Sequence, residues 1–201
     1  MTQGTAVAPQ SRTSKRPPIF SLPNQLTALR FVLSIVLFIL ISNEQWVWCA
    51  VVFAVAAFTD WLDGFLARRW NLGSTLGRNL DPLVDKILIC GAFIFLLPVA
   101  GANVDPWMVT VVVTRELVVT SLRSFIENRG GSFGAAWPGK LKMGLQCAAL
   151  LAVFLYFCWR SVEWLAWTWV LRDILLYGMV ISTVISGLQY LLRATALLKE
   201  E

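Results

Sequence analysis

Six long apolar runs, each near the length of one bilayer crossing, constrain this chain more than any other feature. They cover residues 24–42, 46–69, 82–100, 106–126, 141–159 and 171–192, close to the ~20 residues that an α-helix needs to cross the hydrocarbon core. In lipid every backbone donor and acceptor must be satisfied inside the segment, so runs of this length are read as helices. Hydrophobic residues make up 57% of the chain and charged residues only 14%, a balance far from that of soluble domains. The expected fold is therefore an all-α integral membrane protein, six transmembrane helices in a single bundle. The second and third runs are not clean, because their purely apolar parts stop at Phe58 and begin at Ile87.

Basic residues give the orientation. If six helices cross, Arg12, Lys15, Arg16, Arg30, Arg68, Arg69, Arg78, Lys86, Arg123, Arg129, Lys140, Lys142, Arg193 and Lys199 share one side, and only three of the seventeen Lys and Arg do not. The opposite loops carry Glu44, Asp105 and Glu163 with Arg160 and Arg172. The positive-inside rule then puts both termini in the cytoplasm. The net charge of +5 is a topological signal, with attraction to anionic membrane lipids as a secondary effect. It gives nucleic-acid binding no support.

Residues 1–20 are polar and Pro-containing with no apolar stretch before Ile19, which predicts a disordered cytoplasmic tail and no cleavable signal peptide. The expected catalytic domain spans residues 21–195, and 196–201 form a short C-terminal tail. Cys49, Cys90, Cys147 and Cys158 each sit singly in apolar runs and are read as packing residues. Ten tryptophans, several in "EQWVW" and "WRSVEWLAWTW", mark interfacial depth. The chain contains no histidine, so imidazole plays no part in catalysis or metal binding.

Against this apolar background, "TDWLDGFLARRWNLGSTLGRNLDPLVDK" holds four aspartates. On a helix, Asp60, Asp63, Gly64 and Ala67 fall at i, i+3, i+4 and i+7 and share one face. Asp81 and Asp85 repeat the pattern at i and i+4, and "NLGSTLG" between them is read as a turn that lets the two faces meet. Converging carboxylates resist ionisation unless a cation sits among them. Oxygen-only donors suit Mg²⁺ or Mn²⁺, and two ions about 3.5 to 4 Å apart could clamp a diphosphate. A plainer reading makes Asp81 an N-cap with Pro82 at N1 and Asp85 a first-turn acid. A third leaves all four as solvated loop charges, although an acid at mid-membrane costs about 2.5 to 3.5 kcal/mol on insertion scales.

The ungapped pattern Asp-x2-Asp-Gly-x2-Ala-Arg-x8-Gly-x3-Asp-x3-Asp, formed by Asp60, Asp63, Gly64, Ala67, Arg68, Gly77, Asp81 and Asp85, resembles the signature of the CDP-alcohol phosphatidyltransferases. The resemblance implies six transmembrane helices with the signature on helices 2 and 3, and a homodimer. It implies that an alcohol attacks the β-phosphorus of CDP-diacylglycerol and CMP leaves. By the same resemblance Asp60, Asp63 and Asp81 hold the metals, and Asp85 is both a ligand and the base that takes the hydroxyl proton. Gly64, Ala67 and Gly77 would let a nucleotide lie against the backbone, and Arg68 would pair with the diphosphate. Asn24, Thr27 and Arg30, at the cytoplasmic start of helix 1, are read either as lying beside the nucleotide or metal-bound water or as capping and interface-anchoring residues.

Three further stretches, "LPNQLTALR" (22–30), "TRELVVTSLRSFIENRG" (114–130) and "GKLKMGLQ" (139–146), resemble segments of the family members that use glycerol 3-phosphate as acceptor. A phosphorylated acceptor needs cations beyond those serving the diphosphate, and Arg115, Arg123 and Lys140 are expected to supply them. Lys140 is favoured over Lys142, and Glu116 is expected to point away from Arg115. Inositol phosphate, serine or phosphatidylglycerol are the alternative acceptors. In a different class, a transporter would need acids near mid-bilayer and an internal repeat. The acids instead fall at one level, which places the expected active site at the cytoplasmic face, and the resemblance implies a bacterial inner membrane.

Overall fold

The computed structural model describes residues 22–70, 75–128, 137–162 and 167–199. Among them are six α-helices and no strand: α1 Leu22–Ser42, α2 Trp46–Trp70, α3 Thr75–Leu96, α4 Pro106–Asn128, α5 Trp137–Trp159 and α6 Thr168–Lys199. The expected tail at 1–20 lies outside the described residues. Helix α1 packs on α2 and α3, α5 joins α2 to α6, and α4 lies between α3 and α6.

By length and composition α1, α5 and α6 can each cross a membrane, within Gln25–Ser42, Leu141–Trp159 and Thr168–Thr195. The apolar part of α2 ends at Asp60, and α3 and α4 carry charged residues inside their length. Large apolar side chains such as Val32 and Ile39 on α1 and Ile174, Ile181 and Leu188 on α6 are exposed on the outer faces. Such a surface suits lipid, where apolar exposure carries no hydration cost.

One helix start differs from the sequence expectation. Helix α3 begins at Thr75, so Pro82 lies inside it and Asp81 is not a cap. An Asp-Pro pair is a strong start signal, but a membrane-associated helix tolerates an internal proline when neighbouring groups re-satisfy the freed carbonyl. Of the stretch "NLGSTLG" read as a turn, Thr75 to Gly77 are helical and 71–74 lie outside the described residues.

The core is apolar and aromatic. Trp46 of α2 stacks on Phe157 of α5 with centroids 4.2 Å apart, and Phe53 meets Phe154 edge-on at 5.8 Å. Between α1 and α3, Phe38 stacks on Phe95 at 4.9 Å and lies across Gly91, where a Cβ would come within 2.2 Å of Phe38 Cζ. Gly91→Ala is therefore expected to lower the unfolding temperature in detergent, with overpacking costing about 1 to 3 kcal/mol. Phe38→Leu in the same chain should recover most of the loss. An unchanged melting curve for Gly91→Ala would show that this contact yields freely.

At the end of the bundle away from the aspartates, the α3–α4 loop turns through Gly101 (φ 86°) and Asn103 (φ 56°). Arg172 at the start of α6 is buried. It donates a hydrogen bond to the Gly101 carbonyl, pairs with Asp173 at 2.7 Å and covers the Tyr156 ring. Asn103 Nδ2 donates to Asp173 at 2.9 Å. Arg172 is thus a basic residue off the expected cytoplasmic side whose charge is matched within the protein.

Candidate active site

The inward stripe of α1 runs Thr27, Arg30, Ser34, Leu37 and Ile41, all buried, at the three- and four-residue steps of one helix face. The stripe is apolar over its later half and polar at its start. Helix α2 runs the same way in reverse: Trp46, Cys49, Phe53, Ala56 and Thr59 are buried, and Asp60 follows. On α3, Asp85 precedes the buried Leu88, Ile89, Ala92 and Phe93. Antiparallel packing therefore brings the polar ends of three core-facing stripes to one level.

Arg30 joins them. Its side chain is fully buried, and its Nη1 lies 3.0 Å from Asp60 Oδ1 while donating to Asp85 Oδ1 at 2.7 Å. A buried guanidinium is tolerated only when paired and hydrogen-bonded, and the two carboxylates supply this at Nη1. Ser34 Oγ donates to the Arg30 carbonyl at 2.8 Å and Thr59 Oγ1 to the Ala56 carbonyl at 2.8 Å, so the neighbouring hydroxyls are satisfied within their own helices. Carboxylates of α2 and α3 thus converge on a single nitrogen supplied by α1. The sequence expectation placed Arg30 beside nucleotide or metal-bound water, and here it sits on the acids themselves.

Both acids keep access to solvent, with 36% of the Asp60 side chain and 23% of the Asp85 side chain exposed. Asp63, Gly64, Ala67 and Arg68 belong to α2, Gly77 and Asp81 to α3, Asn24 to α1 and Lys140 to α5. The side chains at these eight positions lie outside the described residues. Thr27 is buried one turn before Arg30.

A second charged cluster lies among α3, α4, α5 and α6. Arg115 Nη1 pairs with Glu116 Oε1 at 3.1 Å, and Lys142 of α5 reaches the same oxygen. Thr120 Oγ1 donates to the Glu116 carbonyl at 2.6 Å and is itself hydrogen-bonded by Lys86. Lys86 follows Asp85 directly, so one turn of α3 touches both clusters. Arg123 Nη2 hydrogen-bonds the Tyr190 hydroxyl at 3.1 Å.

One expectation is corrected here. Glu116 does not point away from Arg115, because both side chains are long enough to close the angle between adjacent helical positions. Lys142, over which Lys140 was favoured, is buried and ion-paired to Glu116. Tyr190 was not identified from the sequence, and Glu116 was named there without a role in the site. Their signal there is weak, since a tyrosine and a Glu beside an Arg are ordinary in a helix.

Chemically the cluster is cation-rich and incompletely satisfied. Arg115 Nε and Arg123 Nε are buried with no hydrogen-bond partner among the described residues. Buried donors without acceptors are costly, and an anionic ligand meets that deficit.

One end of the bundle thus combines an acidic centre with a neighbouring basic cluster. The chain belongs to the CDP-alcohol phosphatidyltransferase family, which it matches over residues 20–186. Among curated relatives it is similar to the CDP-diacylglycerol--glycerol-3-phosphate 3-phosphatidyltransferases of Escherichia coli (strain K12) and Shigella sonnei (strain Ss046). Each is 34% identical over 187 residues, covering 88% of this chain and 96% of the relative. It is accordingly an enzyme of that family, with membrane helices and bacterial relatives.

Proposed function

We propose that this protein transfers the phosphatidyl group of CDP-diacylglycerol to glycerol 3-phosphate, giving phosphatidylglycerophosphate and CMP. The observation that carries the reading is the meeting of Asp60 and Asp85 at Arg30 beside the part-buried cations Arg115 and Arg123 and the buried Lys142. The relatives' shared activity supports the choice of substrates.

The donor set fits divalent ions. Asp60 and Asp85 already converge on one cationic nitrogen, each has a second carboxylate oxygen, and Asp63 and Asp81 complete the signature. We assign all four as the residues that hold two ions, Mg²⁺ or Mn²⁺. Bound there, the ions neutralise charge on the diphosphate and on the departing CMP.

The chain's own residues do the rest. Asp85 takes the proton of the attacking acceptor hydroxyl, whose oxygen bonds to the β-phosphorus as the bond to the CMP oxygen breaks. Arg68 pairs with the diphosphate, while Gly64, Ala67 and Gly77 admit the nucleotide and Asn24 and Thr27 border it. Arg115, Arg123 and Lys140 receive the acceptor phosphate. Glu116 fixes Arg115 and Lys142 by accepting from both.

CDP-diacylglycerol is held by the membrane while glycerol 3-phosphate is water-soluble, which suits a site at the cytoplasmic end of the helices. We assign both termini to the cytoplasm, six crossings of the bacterial inner membrane, and a homodimer as the functional unit. Purified protein given both substrates should release CMP with Mg²⁺ or Mn²⁺, lose that activity in EDTA, and regain it when the ion is restored. Full turnover in EDTA would contradict the assignment.

Arg30 gives a separate test of the acidic centre. Arg30→Gln removes the cation that Asp60 and Asp85 share, and like charges this close repel. The variant is expected to melt at a lower temperature in EDTA, and Mg²⁺ should raise its melting temperature more than it does for the wild type. Equal Mg²⁺-induced shifts in both proteins would mean that Arg30 does not act on the ion-holding carboxylates.

A further inference from the structure

We infer that Tyr190 of α6 is a positioning residue for the acceptor, holding Arg115 and Arg123 of α4 in the arrangement that binds the acceptor phosphate. The inference rests on the assignment of those arginines in the proposed function and extends it to a helix that carries none of the signature. Tyr190 also lies beyond residue 186, where the match to the family ends.

Two guanidinium groups placed for one phosphate repel each other in the absence of ligand, so something must hold them in place. The Tyr190 side chain does this in two ways. Its ring centroid lies 5.6 Å from Arg115 Cζ and 5.8 Å from Arg123 Cζ, within the ~6 Å at which an aromatic face attracts a cation. Its hydroxyl accepts the Arg123 Nη2 hydrogen bond at 3.1 Å, which fixes the orientation of that guanidinium.

The residue is 4% exposed, so the contact is shielded from competing water. Gly187, one turn earlier on α6, leaves room for Arg115: a Cβ there would lie 3.2 Å from Arg115 Cγ. On its other side Arg115 is held by Glu116. Each arginine keeps a buried Nε with no partner among the described residues, so the clasp leaves donors for an anion.

The test is steady-state kinetics with each substrate varied separately. Tyr190→Phe keeps the ring and removes one hydrogen bond, and should raise KM for glycerol 3-phosphate about 3- to 10-fold. Tyr190→Leu removes both effects and should raise it about 10- to 100-fold. In both variants KM for CDP-diacylglycerol and kcat should stay near the wild type. Because the hydroxyl acts through Arg123, adding Tyr190→Phe to Arg123→Ala should change KM no further, a non-additivity that a merely structural tyrosine would not produce.

A wild-type KM for glycerol 3-phosphate in both tyrosine variants overturns the inference, and so does a parallel rise in KM for both substrates. Arg115→Ala, measured alongside, separates the two readings. If it raises KM for glycerol 3-phosphate while the tyrosine variants do not, only the role of Tyr190 fails. If it too leaves KM unchanged, the acceptor pocket itself is misassigned.

Discussion

Asp85→Asn is expected to lower kcat by about 10² to 10⁴, the range typical of removing a general base, while CDP-diacylglycerol binding is largely kept. The substitution is nearly isosteric. The new amide oxygen can still accept the Arg30 Nη1 hydrogen bond, which the aspartate accepts at 2.7 Å, so the α1–α3 contact should survive. What is lost is the negative charge that takes the acceptor proton. Kinetics at saturating glycerol 3-phosphate, with a binding measurement for the CDP-lipid, distinguish the outcomes. Loss of lipid binding together with turnover would make Asp85 chiefly an ion-holding group, and unchanged turnover would remove it from the reaction altogether.

Arg115→Ala should raise KM for glycerol 3-phosphate by at least about 10-fold, with KM for CDP-diacylglycerol changed far less. A charge-assisted hydrogen bond contributes about 1.5 to 3 kcal/mol, and that range alone spans roughly tenfold to more than a hundredfold in affinity. A second effect acts in the same direction. Arg115 shares Glu116 with Lys142, so its removal leaves that carboxylate paired to Lys142 alone and lessens the positive charge of the pocket. Thermal unfolding measured alongside should fall only modestly, because Lys142 still neutralises Glu116. Unchanged KM for glycerol 3-phosphate would reopen serine and inositol phosphate as acceptors.

What the sequence made legible follows from its periodicities. Helix existence was readable because apolar runs of ~20 residues have few alternatives in lipid. Of the four acids expected from spacing to converge, Asp60 and Asp85 meet at Arg30, and the side chains of Asp63 and Asp81 lie outside the described residues. The start of α3 was not, because Asp81-Pro82 imitates a helix start while the helix begins at Thr75.

The partners of the charged residues were also hidden. Arg30 lies on the same stripe as Ser34, Leu37 and Ile41, which marks it as inward-facing, but that stripe does not say which helix supplies its counter-charge. Lys142 and Glu116 are 26 positions apart, and Arg123 and Tyr190 are 67 apart. Such pairs depend on which helices become neighbours, and helical periodicity within one segment carries no information about that choice. The proposed acceptor pocket depends on the packing of α4 with α6 and of α5 with α6, so it emerges only at the tertiary level.

The most direct test of the central claim is an acceptor panel. Purified protein with CDP-diacylglycerol and Mg²⁺ is given glycerol 3-phosphate, glycerol, serine, inositol phosphate or phosphatidylglycerol in turn, and CMP and the lipid product are quantified together. Phosphatidylglycerophosphate and CMP in equal amounts with glycerol 3-phosphate, and little of either with the others, is the predicted result. CMP release with serine, inositol phosphate or phosphatidylglycerol in place of glycerol 3-phosphate would contradict it.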